Sequence, residues 1–353
     1  METSYTMSEL SAEHHTLLAT VLARHGYLAA GETMRVDVLG GGVSNYVLRV
    51  VTPQRRLVVK QSLPKLRVAM DWYADQERIW RERDYLQLVG EWFPGHAPSV
   101  LFSDEAAFLL AISEVTGATL WKQTLMAGVC DPTTAVRAGT LLAQIHRRSH
   151  ETPAVAAQFA RKANRSADSF EQLRIDPYWR TVARTHPNLA APLGAIIAAM
   201  EAQALALVHG DYSPKNIFVK QDGNLVILDA EVAHWGDPTF DVAFCLNHFL
   251  LKAVYHGAQG APFVTGAETF WQAYQRVIEV GSLLDGVTAR LPGQLAALFL
   301  ARVDGKSPAE YLVGDEAKQA TVRTIATAAL RQYPHTTLAA LLADVRQVAS
   351  PIR

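Results

Sequence analysis

Apolar residues recur at helical spacing from about Ser8 to His25, where Leu10, Leu17, Leu18, Val21 and Leu22 share a side and Gly26 offers a stop. The period then shortens. Arg35 to Leu39 alternates, Gly40-Gly41-Gly42 turns the chain, and Tyr46 to Val51 alternates again. Pro53-Gln54 reads as a turn before Arg56 to Lys60. This pattern predicts a meander of three strands. A polar connection, Leu63 to Ala74, leads into a charged helix from about Asp75 to Val89, whose Ile79, Trp80, Leu86 and Val89 suit packing on a sheet. Ser99–Phe102 and Phe108–Ile112 read as two further strands.

Beyond Gly117 the pattern is helical: roughly Thr133–Ser149, Ser169–Arg184, Leu193–Gln203, Phe240–Tyr255, Ala267–Gly281, Leu291–Val303, Ala317–Gln332 and Thr336–Ala349. Only Ile217–Lys220 and Leu225–Leu228 look strand-like there, around the turn Gln221-Asp222-Gly223-Asn224. The expected class is α+β: a β-rich lobe over residues 1–113, a connection at 114–118 and a mainly helical lobe over 119–353. The most apolar stretch, Leu189 to Val208, is interrupted by Pro192, Gly194, Glu201 and Gln203, so it reads as a buried helix leading into a strand rather than a membrane span.

Composition narrows the field. The chain has 353 residues, 49% of them hydrophobic, enough for a large core and about two domains. Its 33 basic and 34 acidic residues leave a formal net charge of −1, without the basic bias of a nucleic-acid-binding surface. Cys130 and Cys245 are too few for a disulfide framework or a metal cluster. The N-terminus lacks a basic region followed by an apolar stretch, so no signal peptide is expected. A cytoplasmic protein with neither nucleic acid nor membrane as partner is the expectation.

The chemistry concentrates in His209-Gly-Asp-Tyr-Ser-Pro-Lys-Asn216 and Val226-Ile-Leu-Asp229-Ala-Glu231. Asp211 and Asn216 stand in a turn-rich loop, and the two arms of a hairpin carry the chain from there to Asp229. Phosphoryl transfer needs Mg²⁺ on a triphosphate, a carboxylate to orient and deprotonate the attacking hydroxyl, and cations on the phosphate oxygens. Asn216 and Asp229 offer oxygen ligands suited to a hard cation, and Asp211 is placed to act as base. Upstream, Leu39-Gly-Gly-Gly-Val-Ser-Asn45 lies between two predicted strands. Gly41 and Gly42 permit close backbone approach to phosphates, and Ser44 adds a hydroxyl. It is not a P-loop, since no Gly-Lys-Ser/Thr follows and the next element is a strand. Lys60 ends the following apolar strand, where a kinase lysine would meet the α/β-phosphates. Its carboxylate partner should come from the next helix, which offers Glu77 and Glu82.

The H-G-D-x-x-x-x-N loop resembles that of the aminoglycoside phosphotransferase and choline kinase-like superfamily, which shares the two-lobed protein-kinase-like fold. Asp229-Ala-Glu231 matches the D-x-E form of methylthioribose kinases, and Gly236-Asp-Pro-Thr-Phe-Asp241 looks like the superfamily's G-D-P-x-x-D stretch. Val59-Lys-Gln-Ser-Leu-Pro-Lys-Leu-Arg67, after Val43-Ser-Asn-Tyr-Val47, is similar to a segment of the same branch. That branch usually carries Ser where this chain has Asn216. The resemblance implies Asp211 as catalytic base, Asn216 and Asp229 on Mg²⁺ with Glu231 supporting, and Asp241 and His209 as structural braces of the loop. It implies ATP as cofactor, contacted by Gly41, Gly42, Ser44, Asn45 and Lys60. Arg81-Glu82-x-x-x-Leu86 resembles the superfamily's R-E-x-x-x-L helix and favours Glu82 as partner of Lys60. Ile112-Ser-Glu-Val-Thr-Gly117 resembles the hinge, with Glu114 and Val115 beside adenine. Some relatives suggest a homodimer.

The acceptor should face Asp211 from the helical lobe. Trp235 could stack on a ring, and Arg302 or Lys306 could meet an anionic or hydroxyl-rich substrate; His248, Asn247, Tyr255 and His256 lie on the helix that follows Trp235. The expected activity is an ATP- and Mg²⁺-dependent phosphotransferase acting on a hydroxyl of a small metabolite, with a sugar such as methylthioribose or a related pentose foremost. An aminoglycoside kinase, a choline- or homoserine-like alcohol kinase and a catalytically silent binding module are the alternatives.

Overall fold

The computed structural model describes residues 11–40, 43–68, 71–279 and 281–350. The chain divides into two compact units, Met1–Thr116 and Gly117–Arg353.

The first unit contains α1 (Ala12–Arg24), β1 (Arg35–Val38), β2 (Asn45–Val51), β3 (Arg56–Ser62), α2 (Arg78–Trp92), β4 (Val100–Asp104) and β5 (Leu109–Ser113). The strands form one antiparallel sheet in the order β1-β2-β3-β5-β4. Helix α1 begins where the Ser11 side chain accepts the His14 N–H, and Gly26, at φ +73°, follows its end. Its Leu18, Val21 and Leu22 bury against Leu48, Val50, Leu57, Val59, Leu109 and Ala111. Each such side chain is worth roughly 1.5–3 kcal/mol of burial. Alternation along β3 sends Leu57 and Val59 to that face and Val58 and Lys60 to the other, where α2 meets Lys60 through Glu82. The sheet is thus covered by one helix on each face.

The second unit runs β6 (Ala118–Leu120), α3 (Trp121–Met126), α4 (Pro132–His150), α5 (Pro153–Gln158), a π-helical segment (Glu171–Arg180) continuing into α6 (Thr181–Thr185), and α7 (Ala190–Glu201). After these come β7 (Ala206–Val208), β8 (Ile217–Lys220), β9 (Leu225–Ile227), β10 (His234–Gly236), α8 (Thr239–His256), α9 (Ala261–Ile278), α10 (Gly281–Asp304), α11 (Glu316–Arg331) and α12 (Leu338–Val348). Strands β6, β8 and β9 form one small sheet, and β7 and β10 another. Every residue of α8 from Thr239 to Val254 is buried, which makes it the central helix of this unit.

The strand-poor expectation for this unit needs correction: β6 pairs with the expected hairpin, and β10 pairs apart from it with β7, the strand expected after the apolar helix. Each is three residues long, too short for an alternating pattern to register. Helix α10 starts at Gly281 rather than near Leu291, and packing holds Pro292 inside it against its breaking tendency. The stretch expected as a helix from Ser169 to Arg184 is π-helical over ten residues with Pro177 inside. The apolar stretch before Val208 is α7 followed by β7, and among the described residues no helix is long and apolar enough to cross a membrane.

Candidate active site

Strand β7 delivers the chain into the loop His209–Asn216. Gly210 follows at φ +77°, and a Cβ there would meet Val232 Cγ2 at 2.6 Å and Val232 O at 3.0 Å, so only glycine fits. The loop is anchored by Asp241 in the first turn of α8. Its carboxylate accepts the N–H groups of His209 at 2.6 Å and Gly210 at 2.8 Å, and His146 of α4 reaches it at 3.3 Å. Burial works against ionisation of Asp241, and the His146 bond and charge, the His209 charge and the backbone donor outweigh it, holding its pKa below the usual range.

His209 uses both ring nitrogens. Nδ1 accepts the Asp211 N–H at 3.1 Å and Nε2–H donates to Leu228 O at 3.0 Å. Burial lowers its pKa. A neutral imidazole thereby joins the catalytic loop to the residue preceding Asp229.

Asp211 is the focus. Its Oδ2 is held by Arg174 Nη2 at 3.0 Å and by Lys215 Nζ at 2.8 Å, while its buried Oδ1 has no hydrogen-bond partner among the described residues. An unpaired buried carboxylate oxygen is costly, and it is the oxygen left open to a proton donor. Arg174 also donates through Nε to Gly210 O at 2.7 Å. Burial disfavours the charge on Arg174 and on Lys215, but Asp211 foremost among their neighbours more than compensates, so both pKa values lie above the ordinary ones. Asp229 and Glu231 are near enough to act on Arg174 as well.

Asn216 donates its side-chain N–H to the backbone carbonyl of Asp211 at 3.0 Å, and its own backbone carbonyl accepts the Leu228 N–H at 2.9 Å. With β8 and β9 paired Ile217 to Ile227, the hairpin sets Asn216 beside the residue preceding Asp229. Asp229 sits at φ +66°, a left-handed conformation unusual for any residue with a Cβ. Among the described residues no three His, Cys, Asp or Glu side chains gather as a metal cage. Asn216, Asp229 and Glu231 bear the oxygen donors of the kind Mg²⁺ takes, one or two from protein with water and phosphate filling the rest of its shell.

In the first unit, Lys60 Nζ lies 2.6 Å from Glu82 Oε1, and both are buried. Glu77 is exposed ahead of α2, so of the two candidates Glu82 is the one that reaches Lys60. Ser44 and Asn45 are buried, and Arg78 Nη2 donates to Ser44 O at 2.5 Å, fixing the end of the glycine turn to α2. Gly41 and Gly42 lie outside the described residues. Glu114 pairs with Arg49 at 2.5 Å, and Val115 is half-buried just before the unit boundary.

The two acceptor-side expectations part ways. Trp235 donates its backbone N–H to Phe159 O and lines a cleft of about 410 Å³ with Arg161, Phe170 and Met200. None of Asp211, Asn216, Asp229 or Glu231 lines that cleft. Alternation along β10 and its pairing with β7 turn Trp235 there. Arg302 is buried and reaches Tyr178 OH at 3.4 Å, on the same ring that Arg174 approaches at 6.0 Å. Lys306 instead pairs with Asp176 at 2.9 Å. Sequence reasoning missed Arg174 and Lys215. A lysine directly before Asn216 inside the loop was a readable signal, whereas Arg174 lies in a π-helical segment whose period no helical pattern matches.

A buried carboxylate held by two cations thus stands on a loop tied to Asn216 and to the residue preceding Asp229. Residues 35–281 match the APH model, described as the phosphotransferase enzyme family, and the chain belongs to that family; it is a small-molecule kinase by class. It is 28% identical over 279 residues to methylthioribose kinase of Klebsiella pneumoniae subsp. pneumoniae, covering 70% of this chain and 69% of that one. With methylthioribose kinase of Pectobacterium atrosepticum it shares 26% over 318 residues, covering 79% and 78%. Among solved structures, a choline/ethanolamine kinase family protein from Mesorhizobium loti superposes with TM-score 0.51 at 18% identity over 93% of this chain and 99% of that one. Choline kinase LicA from Streptococcus pneumoniae gives 0.51 at 14% over 91% and 100%. These establish the fold as protein-kinase-like.

Proposed function

We propose that the protein transfers the γ-phosphoryl group of ATP to a hydroxyl of a small metabolite, with a sugar such as methylthioribose or a related pentose as the leading acceptor. The observation that carries this is the state of Asp211: one oxygen fixed by Arg174 and Lys215, the other buried and open. In the reaction, the acceptor O–H donates its proton to Asp211 Oδ1, the acceptor oxygen bonds to the γ-phosphorus, and the bond to the β–γ bridging oxygen breaks to release ADP. Lys215 and Arg174 hold the carboxylate in one orientation, and Lys215 stands ready for the charge on the transferring group. Mg²⁺, when bound, would be held by Asn216 and Asp229 with Glu231 in support, and would neutralise phosphate charge. Lys60, oriented by Glu82, is assigned to the α/β-phosphates; Asp241 and His209 keep the loop in register. The finer choice of a sugar is supported by the methylthioribose kinase relatives.

The test is ADP release with Mg·ATP against methylthioribose, pentoses, choline, homoserine and aminoglycosides. One acceptor should give turnover, and Asp211→Asn should lower kcat by about 10²–10⁴-fold with little change in Mg·ATP affinity. Release of pyrophosphate instead of ADP, or full activity in Asp211→Asn, would overturn the reading.

A further inference from the structure

The central helix α8 carries a line of side chains that leads away from the catalytic loop. Asp241, Phe244, His248 and Lys252 follow at spacings of three and four, so they share one face. Asp241 braces the loop. The Phe244 ring lies 5.8 Å from the Arg174 guanidinium and stacks 6.2 Å from Tyr178, and His248 meets Phe244 at 5.2 Å. Arg302 of α10 joins from the side, its guanidinium 5.9 Å from the Tyr178 ring.

This line is cationic and under-satisfied. Lys252 is 1% exposed, yet among the described residues its ammonium has as acceptor only the His248 carbonyl, at 3.4 Å, plus the face of Tyr311 at 5.1 Å. Among the described residues no carboxylate lies within ion-pair distance of it. The nearby Glu310 is engaged by Lys122. Among the described residues His248, 5% exposed, leaves Nε2 without a partner, and Arg302, 7% exposed, donates through Nη1 to Ser307 O, Ser307 Oγ and Tyr178 OH but leaves Nε without one. Apart from its own burial, the strongest influences on His248 are all positive: Lys252, Arg302, Lys215 and Lys122. Burial first, then Lys122 and Arg302, against the opposing pull of Glu310 and Cys245, push the Lys252 ammonium down to about 7. Lys252 and Arg302 are thus buried cations that no carboxylate pairs among the described residues, beside a histidine that burial keeps neutral.

We propose that the acceptor is an anion as well as an alcohol: a small hydroxylated carboxylate or phosphate whose charged end is received by His248, Arg302 and Lys252 while its hydroxyl meets Asp211. The proposal rests on the kinase reading for the hydroxyl end and, within it, puts an anionic acceptor in place of the neutral sugar. Along α8, His248 and Lys252 follow Phe244 by about 6 and 12 Å at 1.5 Å per residue, so the cations extend away from the catalytic loop. A quaternary ammonium or a polyamine would face like charge here.

The experiment uses matched pairs, D-glycerate with glycerol and ribose 5-phosphate with ribose, on the full chain with Mg·ATP binding measured beside them. Calorimetry should show at least one anion binding tenfold or more tighter than its neutral partner. Lys252→Met should remove most of that preference, Lys252→Arg should retain it, and the Met variant should melt higher than wild type, since a buried charge is gone. A carboxylate preferred over phosphate, or the reverse, identifies the anion. Equal binding within both pairs, no binding of either anion, or an anion preference that survives Lys252→Met would overturn the proposal, whether or not ADP is formed. Failure of Mg·ATP to bind would instead overturn the kinase reading.

Discussion

Single side chains in this protein are set by what surrounds them, and His234 shows how far. Its ring lies 4.0 Å from that of Phe170, and Nδ1–H donates to Val232 O at 3.0 Å. Burial foremost, and then the Arg161 cation, lower its pKa from 6.5 to about 4. The unfolded chain therefore binds a proton near pH 6.5 that the folded chain refuses until about 4. Between those values the unfolded state holds more protons, so stability falls as pH drops through the window and levels off below it. The difference corresponds to roughly 3 kcal/mol at 1.36 kcal/mol per unit. Urea midpoints of wild type and His234→Phe, followed from pH 7.5 to 4, should diverge on the acid side, with the variant flatter. Parallel profiles would exclude His234 as the source.

At the scale of elements, the Lys60–Glu82 pair joins a strand to a helix inside the first unit. Removing one partner of a buried pair leaves an uncompensated charge, typically at a cost of about 3–5 kcal/mol, whereas replacing both with apolar side chains is often neutral. Glu82→Ala should lower the melting temperature clearly, and Lys60→Met with Glu82→Leu should recover most of it while turnover stays lost. Calorimetry with an ADP assay separates the two effects, and a double variant as unstable as Glu82→Ala would show that the pair is not the origin. The elements differ in how openly the sequence declares them. The loop from His209 to Asn216 and the hairpin to Asp229 were legible because their chemistry is compressed into one short run of residues. The sheet of the first unit was legible from its alternation. Glu82 could be preferred to Glu77 from sequence, but only the register of α2 on β3 shows which reaches Lys60. Arg174 was hidden because the helix expected from Ser169 to Arg184 is wound over ten residues with the wider π period, which changes the side each residue faces, and Trp235 was misdirected because a three-residue strand does not reveal its facing.

For the molecule as a whole, binding of a ligand by the native state raises stability by mass action, about 2.7 kcal/mol at a ligand concentration one hundred times Kd. ATP with Mg²⁺ should therefore raise the melting temperature by several degrees, ATP with EDTA by much less, and Asp229→Ala should bring the two curves together. Equal shifts with and without the metal would mean that Asn216 and Asp229 do not hold it. What sequence could not supply at this scale was the interior of the second unit. Its cations at Arg174, Lys252 and Arg302 are spread from the π-helical segment to α10, and only folding assembles them.

The left-handed backbone of Asp229 has a consequence for any attempt to improve this protein by selection. Glycine occupies that conformation without the strain a Cβ brings, and it does not bring the negative charge assigned to the metal. A library ranked by heat tolerance alone is drawn toward that replacement at 229 and accumulates sturdy, silent proteins. Aspartate persists there only under pressure for turnover, so the residue observed at this one position in an improved variant records which of the two demands shaped it.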